Sequence, residues 1–200
     1  MSSTNRCSAA LATLLVLVSA SLSGCSSGTD AQHPSRHADE AKPPKEGLGN
    51  IIVAGRSATG SKASGISKIP YQRTYTDGAL YAPITGYRSM AFGTSALDSI
   101  YDDVLGAGPS HPGRAPSDVV TTIDPAVQRA AADGLRGRKG AAIALDAQTG
   151  QIRAMASAPS YDPSVFSGLS SADNDAWVRL TSDKDMPVLD RALRDSVAPG

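Results

Sequence analysis

An α+β fold in two parts is predicted by three features of this 200-residue sequence. Tyr71, Arg73 and Tyr75 alternate with polar neighbours up to Asp77-Gly78, a period-two pattern closed by a hairpin signal, so a small β-rich unit is expected early in the chain. Ser95 opens a helical stripe of Leu97, Ile100, Tyr101, Val104 and Leu105, spaced i, i+3, i+4, i+7 and i+8. From residue 117 the composition shifts to a strand, a helix and two strand-length runs, "GAAIALD" and "QIRAMAS", as in an antiparallel sheet carrying helices.

The elements follow in order. Arg6 and the apolar run at residues 9–22 read as an export signal, because that run falls short of the ~20 apolar residues a membrane-spanning helix needs. The run ends in Leu22-Ser23-Gly24-Cys25, which matches a bacterial lipobox and makes Cys25 the predicted lipid-attachment residue. Residues 1–25 are therefore taken as a lipoprotein signal and 26–47, rich in charge, Pro, Ser and Gly, as a tether. Cys7 would leave with the signal and Cys25 would carry lipid, so no disulfide is expected.

Residues 48–53, "LGNIIV", predict a strand, followed by a loop rich in Gly, Ser and Lys. In the helix from Ser95, the serine is expected to cap and Asp98 to reach back, with Asp98, Asp102 and Asp103 forming a solvated face rather than a metal site. Residues 106–116 read as a linker, closing a first unit at 48–116. The second unit, 117–200, opens with a strand at 119–123, then Asp124 as helix cap with Pro125 at the first helical position. That helix is expected to bury Val127, Ala130, Ala131 and Leu135. The two following strands turn across residues 147–150, where Gly150 supplies the left-handed position. Trp177 and Leu180 suggest a short helix, and Val188, Leu189, Ala192 and Leu193 a closing one before Pro199-Gly200.

Nineteen basic and 19 acidic residues cancel, which gives no reason to expect a nucleic-acid partner. Gly55 and Gly60 imitate the spacing of a phosphate loop, but Ser61-Lys62 stands in the reverse of the Lys-Ser/Thr order a nucleotide requires, and Gly65 and Pro70 interrupt any helix after it. His33, His37 and His111 lie in tether or linker, so neither a metal centre nor a Ser-His-Asp arrangement is expected, and no cofactor is predicted. The basic run "RGRKG" at 136–140 reads as a solvated loop.

Taken together, "DVVTTIDPAVQRAA", "KGAAIALDAQTGQIRAMASAPSYDPS" and "LDRALRDSVAPG" resemble the opening of the transpeptidase domain in class B penicillin-binding proteins. Residues 49–105 resemble the N-terminal pedestal of the family's actinobacterial members. The resemblance implies a small β-rich pedestal followed by the first elements of a penicillin-binding/serine β-lactamase-like transpeptidase domain, incomplete in this chain. In such proteins a serine in Ser-x-x-Lys attacks the D-alanine carbonyl of a peptidoglycan stem peptide, and β-lactams trap that serine as an ester. Where the family usually begins with an uncleaved membrane helix, this chain carries the predicted lipoprotein signal.

None of the catalytic motifs is found where the resemblance needs it. No lysine follows a serine by three positions; Thr181-Ser182-Asp183-Lys184 comes nearest. Neither Asn50 nor Asn174 has a serine two before it, and Gln148-Thr149-Gly150 lacks the cation of Lys-Thr-Gly. In the family the nucleophile follows at once after the Pro-Gly that matches Pro199-Gly200, so the expectation is a chain cut just short of it, with no catalytic residue of its own and no acylation. The resemblance implies, for the full-length protein, stem peptides and β-lactams as ligands, a lipid-anchored place on the outer face of the cell membrane, and divisome or elongasome proteins as partners. The alternative expectation is a complete, non-catalytic envelope lipoprotein that acts as a protein-binding module.

Overall fold

Strand β1 (Ile51–Val53) buries Ile51 and Val53 and turns into β2 (Arg56–Ser57) through Ala54 and Gly55, both at positive φ, 47° and 75°. Two successive left-handed residues make the turn whose twist matches paired strands, so Gly55 serves a hairpin. The segment expected as a loop then continues as β3 (Thr59–Ile66), antiparallel to β4 (Ile69–Tyr75). Gly60 lies inside this ladder opposite Thr74, which disposes of the phosphate-loop pattern. This computed structural model describes residues 46–196. Cys25, the signal, the tether up to residue 45, His33, His37 and residues 197–200 lie outside the described residues.

Asp77-Gly78 does not close a hairpin: Asp77 takes a left-handed conformation and Gly78 begins helix α1 (Gly78–Thr85). The run after it, Tyr81 to Thr85, is buried without alternation, and a side chain at 78 would collide with the Asp162 carboxylate. Proline at position 83 cannot donate to the carbonyl of Ala79, and the Ser160 hydroxyl takes that acceptor instead at 2.7 Å.

After the short hairpin β5 (Arg88–Ser89) and β6 (Gly93–Thr94), the helix expected from Ser95 appears as two pieces, α2 (Ala96–Ile100) and α3 (Asp102–Leu105), broken at Tyr101. The capping box is not formed, because the Ser95 hydroxyl accepts from Tyr87 N at 3.0 Å. Asp98 is fully buried rather than solvated, while Ile100 of the expected apolar stripe is 68% exposed. Two arginines on neighbouring strands draw Asp98 inward and rotate the helix accordingly.

Strand β7 (Val119–Val120) then lies parallel to β1, giving the order β2-β1-β7, so elements on both sides of residue 116 share one sheet. Asp124 caps α4 (Pro125–Gly134), its Oδ1 accepting from Ala126 N at 2.8 Å and Val127 N at 3.2 Å. The buried face of α4 is one position away from the expected one: Gln128 is fully buried, and Val127 and Ala130 are exposed. The hairpin β8 (Gly140–Leu145) and β9 (Ile152–Ala158) forms as predicted, with Gly150 at φ 72°. Asp146 Oδ1 accepts from Gln148 N and Thr149 N at 3.0 and 2.9 Å, and those amide donors hold its carboxyl below the usual range. A 3-10 turn (Pro163–Phe166), α5 (Ser171–Thr181) with a Ser170/Asp173 capping box, and α6 (Arg191–Arg194) complete the described chain.

Val53, Ala58, Tyr81 and Ile84 from the first half pack with Ile123 and Met155 from the second in one core. A second joint is aromatic: Tyr87 meets Phe166 and Trp177 edge-on at 5.3 and 5.5 Å, and Phe92 stacks on Trp177 at 4.7 Å.

Candidate functional site

The first candidate is a chain of charges inside the β-rich half. Arg73 and Asp98 have fully buried side chains, and each alone would be too costly to bury. Arg73 Nε donates to Asp98 Oδ1 and Oδ2 at 3.1 and 3.2 Å, Nη2 donates to Oδ1, and Nη1 donates to Gly49 O at 2.6 Å. Arg88 Nε joins the same carboxylate at 3.1 Å, and its Nη2 reaches Asp98 O at 2.8 Å and Asp102 Oδ1 at 2.7 Å. Burial would push the Asp102 carboxyl up, but Arg88 and His111 outweigh it and hold it below the usual range. Arg88 is in turn held above its ordinary value by Asp98 and Asp102 in spite of burial. Burial pushes the Tyr75 phenol up, with its oxygen accepting from Arg88 N at 2.7 Å. His111, in the segment expected as a bare linker, closes the chain with Nε2 3.2 Å from Asp102 Oδ2. Its imidazole fits because residue 106 is glycine; a Cβ there would strike the ring.

The second is the joint between the halves. Gln128 Nε2 donates to Leu80 O and Met155 O at 2.9 Å each, and Oε1 accepts from Met155 N at 2.8 Å. One amide thereby ties α1, α4 and β9. Sequence reasoning missed this residue, although Gln128, Ala131, Ala132 and Leu135 have helical spacing once a glutamine is admitted to the buried stripe.

The third is the approach to the C-terminal end of the described residues. Arg191 is almost wholly buried, donating from Nη2 to Asp185 O at 2.6 Å and from Nη1 to Met186 O at 3.2 Å, while its backbone N donates to Ser157 Oγ at 3.0 Å. Asp190 Oδ1 caps α6 through Ala192 N at 3.0 Å, and burial pushes this carboxyl up. The last described turns are thus fixed to β9. A cleft of about 730 Å³ lies alongside, between Tyr87, Ile100, Tyr161 and Leu193.

The remaining sequence candidates stay apart from these. The 136–140 loop is solvent-facing, with Arg136 bound to Asp133 at 2.5 Å and Lys139 to Asp185 at 3.1 Å on the rim of a 650 Å³ cleft. Thr149-Gly150 is the β8–β9 turn, and the Thr181 hydroxyl folds back onto Trp177 O at 2.8 Å. Among the described residues no three His, Cys, Asp or Glu side chains are grouped as metal ligands, and no helix is long and apolar enough to cross a membrane.

Residues 48–128 match the family described as the penicillin binding protein A dimerisation domain. A peptidoglycan D,D-transpeptidase PbpA from Mycolicibacterium smegmatis is 34% identical over 167 residues, 74% of this chain and 34% of that protein. Its Mycobacterium tuberculosis counterpart is 31% identical over 170 residues, 76% of this chain and 34% of that protein. The crystal structure of PBPA from M. tuberculosis superposes with a TM-score of 0.62 at 31% identity, over 72% of this chain and 36% of that one. The penicillin G acyl-enzyme complex of the same protein gives 0.61 at 32% identity, over 72% and 37%. The chain spans about a third of the length of these relatives.

Proposed function

The chain belongs to the class B penicillin-binding proteins, and from that premise we propose that it is the N-terminal part of a peptidoglycan-cross-linking D,D-transpeptidase. The observation that carries this reading is the shared joint: β7 pairs with β1, and Gln128 ties α1 to β9. The region matching the dimerisation domain is therefore built into the same unit as the β8–β9 hairpin. Its role is to hold the start of a catalytic sheet in a fixed frame.

In the proposed full protein, the hydroxyl oxygen of a serine in Ser-x-x-Lys attacks the D-alanine carbonyl of a stem peptide. The terminal D-alanine leaves with a proton, an ester forms, and a neighbouring amine then displaces the serine. β-Lactams stop at the ester. In this reading Arg191 and Ser157 hold the strand-to-helix approach that would present the nucleophile.

The experiment is a pair. Sequencing beyond the codon for Gly200 is expected to reveal an in-frame Ser-x-x-Lys, and a stop codon there would sink the reading. A fluorescent penicillin is expected to leave no covalent label on the 200-residue chain, in which no lysine follows a serine by three positions.

Anchoring through acylated Cys25 at the outer membrane face belongs to the same proposal, supported by Leu22-Ser23-Gly24-Cys25. Radiolabelled fatty acid is expected on the wild type and not on Cys25→Ala. A second reading, a non-catalytic lipoprotein that binds divisome or elongasome proteins or its own copy, is favoured by the dimerisation-domain match at residues 48–128.

A further inference from the structure

We propose that the tip of the β3–β4 hairpin is a membrane-contact element that seats on anionic lipid headgroups. The inference rests on the reading above that the protein works at the outer face of a membrane. It begins with charge. Across the whole chain acid and base balance at 19 each, yet residues 47–76 contain Arg56, Lys62, Lys68 and Arg73 and no Asp or Glu. Arg73 is buried against Asp98, which leaves Arg56, Lys62 and Lys68 exposed.

The tip is also apolar. Ile66 and Ile69 are direct cross-strand partners on either side of Ser67-Lys68, so both side chains stand on one face, 39% and 40% exposed. All residues from 62 to 69 except Ser64 are exposed. Nor is the tip a loose end: the Ser64 hydroxyl donates to Ile69 O and accepts from Ile66 N at 3.0 Å, bridging the register shift between Ala63 and Ile66. A small cavity of about 130 Å³ beside it is lined by Lys68, Arg73, Arg88 and His111 and by no acidic side chain.

Where the chain enters the fold decides between lipid and an anionic wall polymer. Leu48 N donates to Ser61 Oγ at 3.0 Å, one residue from Lys62, so a lipid anchor upstream of residue 48 keeps this hairpin within a tether's length of the same surface. A polymer would answer the lysines but offer the two isoleucines nothing. A bilayer boundary accepts both, since lysines meet the negative leaflet surface while apolar side chains dip below the headgroups.

The test uses the full chain with Cys7→Ser and Cys25→Ser, so that no acyl chain contributes, and an environment-sensitive dye on Ser67→Cys. A control carries the dye on Ala147→Cys, in the β8–β9 turn. Vesicles of phosphatidylcholine with and without phosphatidylglycerol are added. Emission at 67 is expected to rise several-fold and shift to the blue with phosphatidylglycerol, and to stay flat at 147. Each lysine strengthens the contact roughly fivefold, so Lys62→Glu with Lys68→Glu should abolish the response, and added salt should weaken it. Ile66→Ser with Ile69→Ser should reduce it as well, with circular dichroism unchanged for these exposed positions. A flat signal at 67, an equal signal on neutral vesicles, or an equal signal at 147 would overturn the proposal. Failure of Cys25 acylation would sink the anchor and leave this assay unaffected, so the two outcomes are separable.

Discussion

The β-rich half and the β8–β9 hairpin solve burial in opposite ways. The first seals charge inside: Arg73, Asp98 and part of Arg88 sit in the interior with nearly every donor answered. The second leaves apolar surface outside, with Ile143 49% and Leu145 61% exposed on a strand that, among the described residues, is paired on one edge only. Buried charge punishes any single change, because the surviving partner is stranded without water. An open apolar strand forgives changes within the described fold and leaves its surface free for further packing. The contrast teaches that the N-terminal half depends on paired buried charge as well as on its apolar core.

The harshest way to break this contrast is Asp98→Ala. It leaves the Arg73 guanidinium buried and unpaired, and should cost about 3–5 kcal/mol, read as a large fall in the urea midpoint or loss of the folded baseline. Gln128→Leu comes next: it orphans the amide of Met155 and two carbonyls, for a loss of about 2–3 kcal/mol. Hydrogen exchange should place the damage at β9 and α1 together, and a loss confined to α4 would refute the joint.

Asp102→Asn is gentler, because 45% of that side chain faces solvent. A carboxyl whose folded pKa is lowered adds stability that is complete above its ordinary value, ~3.9, and is lost as pH falls through the lower folded value. The melting-temperature gap between wild type and Asp102→Asn should therefore be present at pH 7 and close progressively below about pH 4. Ile143→Thr with Leu145→Thr should matter least to folding, within about 0.5 kcal/mol. It should visibly lower concentration-dependent aggregation in light scattering, as expected of an uncovered apolar strand.

What the sequence could reveal depended on whether a local signal had to compete. Ser95-x-x-Asp98 and Ser170-x-x-Asp173 are the same capping pattern, yet only the second forms, because Asp98 alone has arginines within reach. Asp124-Pro125 and the Asp146–Gly150 turn were readable since every bond they make lies within a few residues. Asp77-Gly78 misled because its glycine answers to Asp162, far along the chain. Gly55 misled because an Ala-Gly pair in two left-handed steps is an uncommon way to spell a hairpin. The family was legible from block order, whereas the partners of Arg73 and Gln128 lie 25 and more residues away, and no local pattern names them.

The parallel pairing of Ile51 with Val119 also sets an order of events. Asn50 N is answered by Asp118 Oδ1 across 68 positions, so one edge of β1 stays unpaired until residues counted with the second unit have been delivered. Closing so long a loop costs entropy before any bond repays it, which makes this a late and slow step. An emerging chain therefore carries an unguarded strand edge while the 68 residues that separate Ile51 from Val119 are made, and a cut at residue 116 would make that exposure permanent. The natural place to divide this protein is not the place where its composition changes.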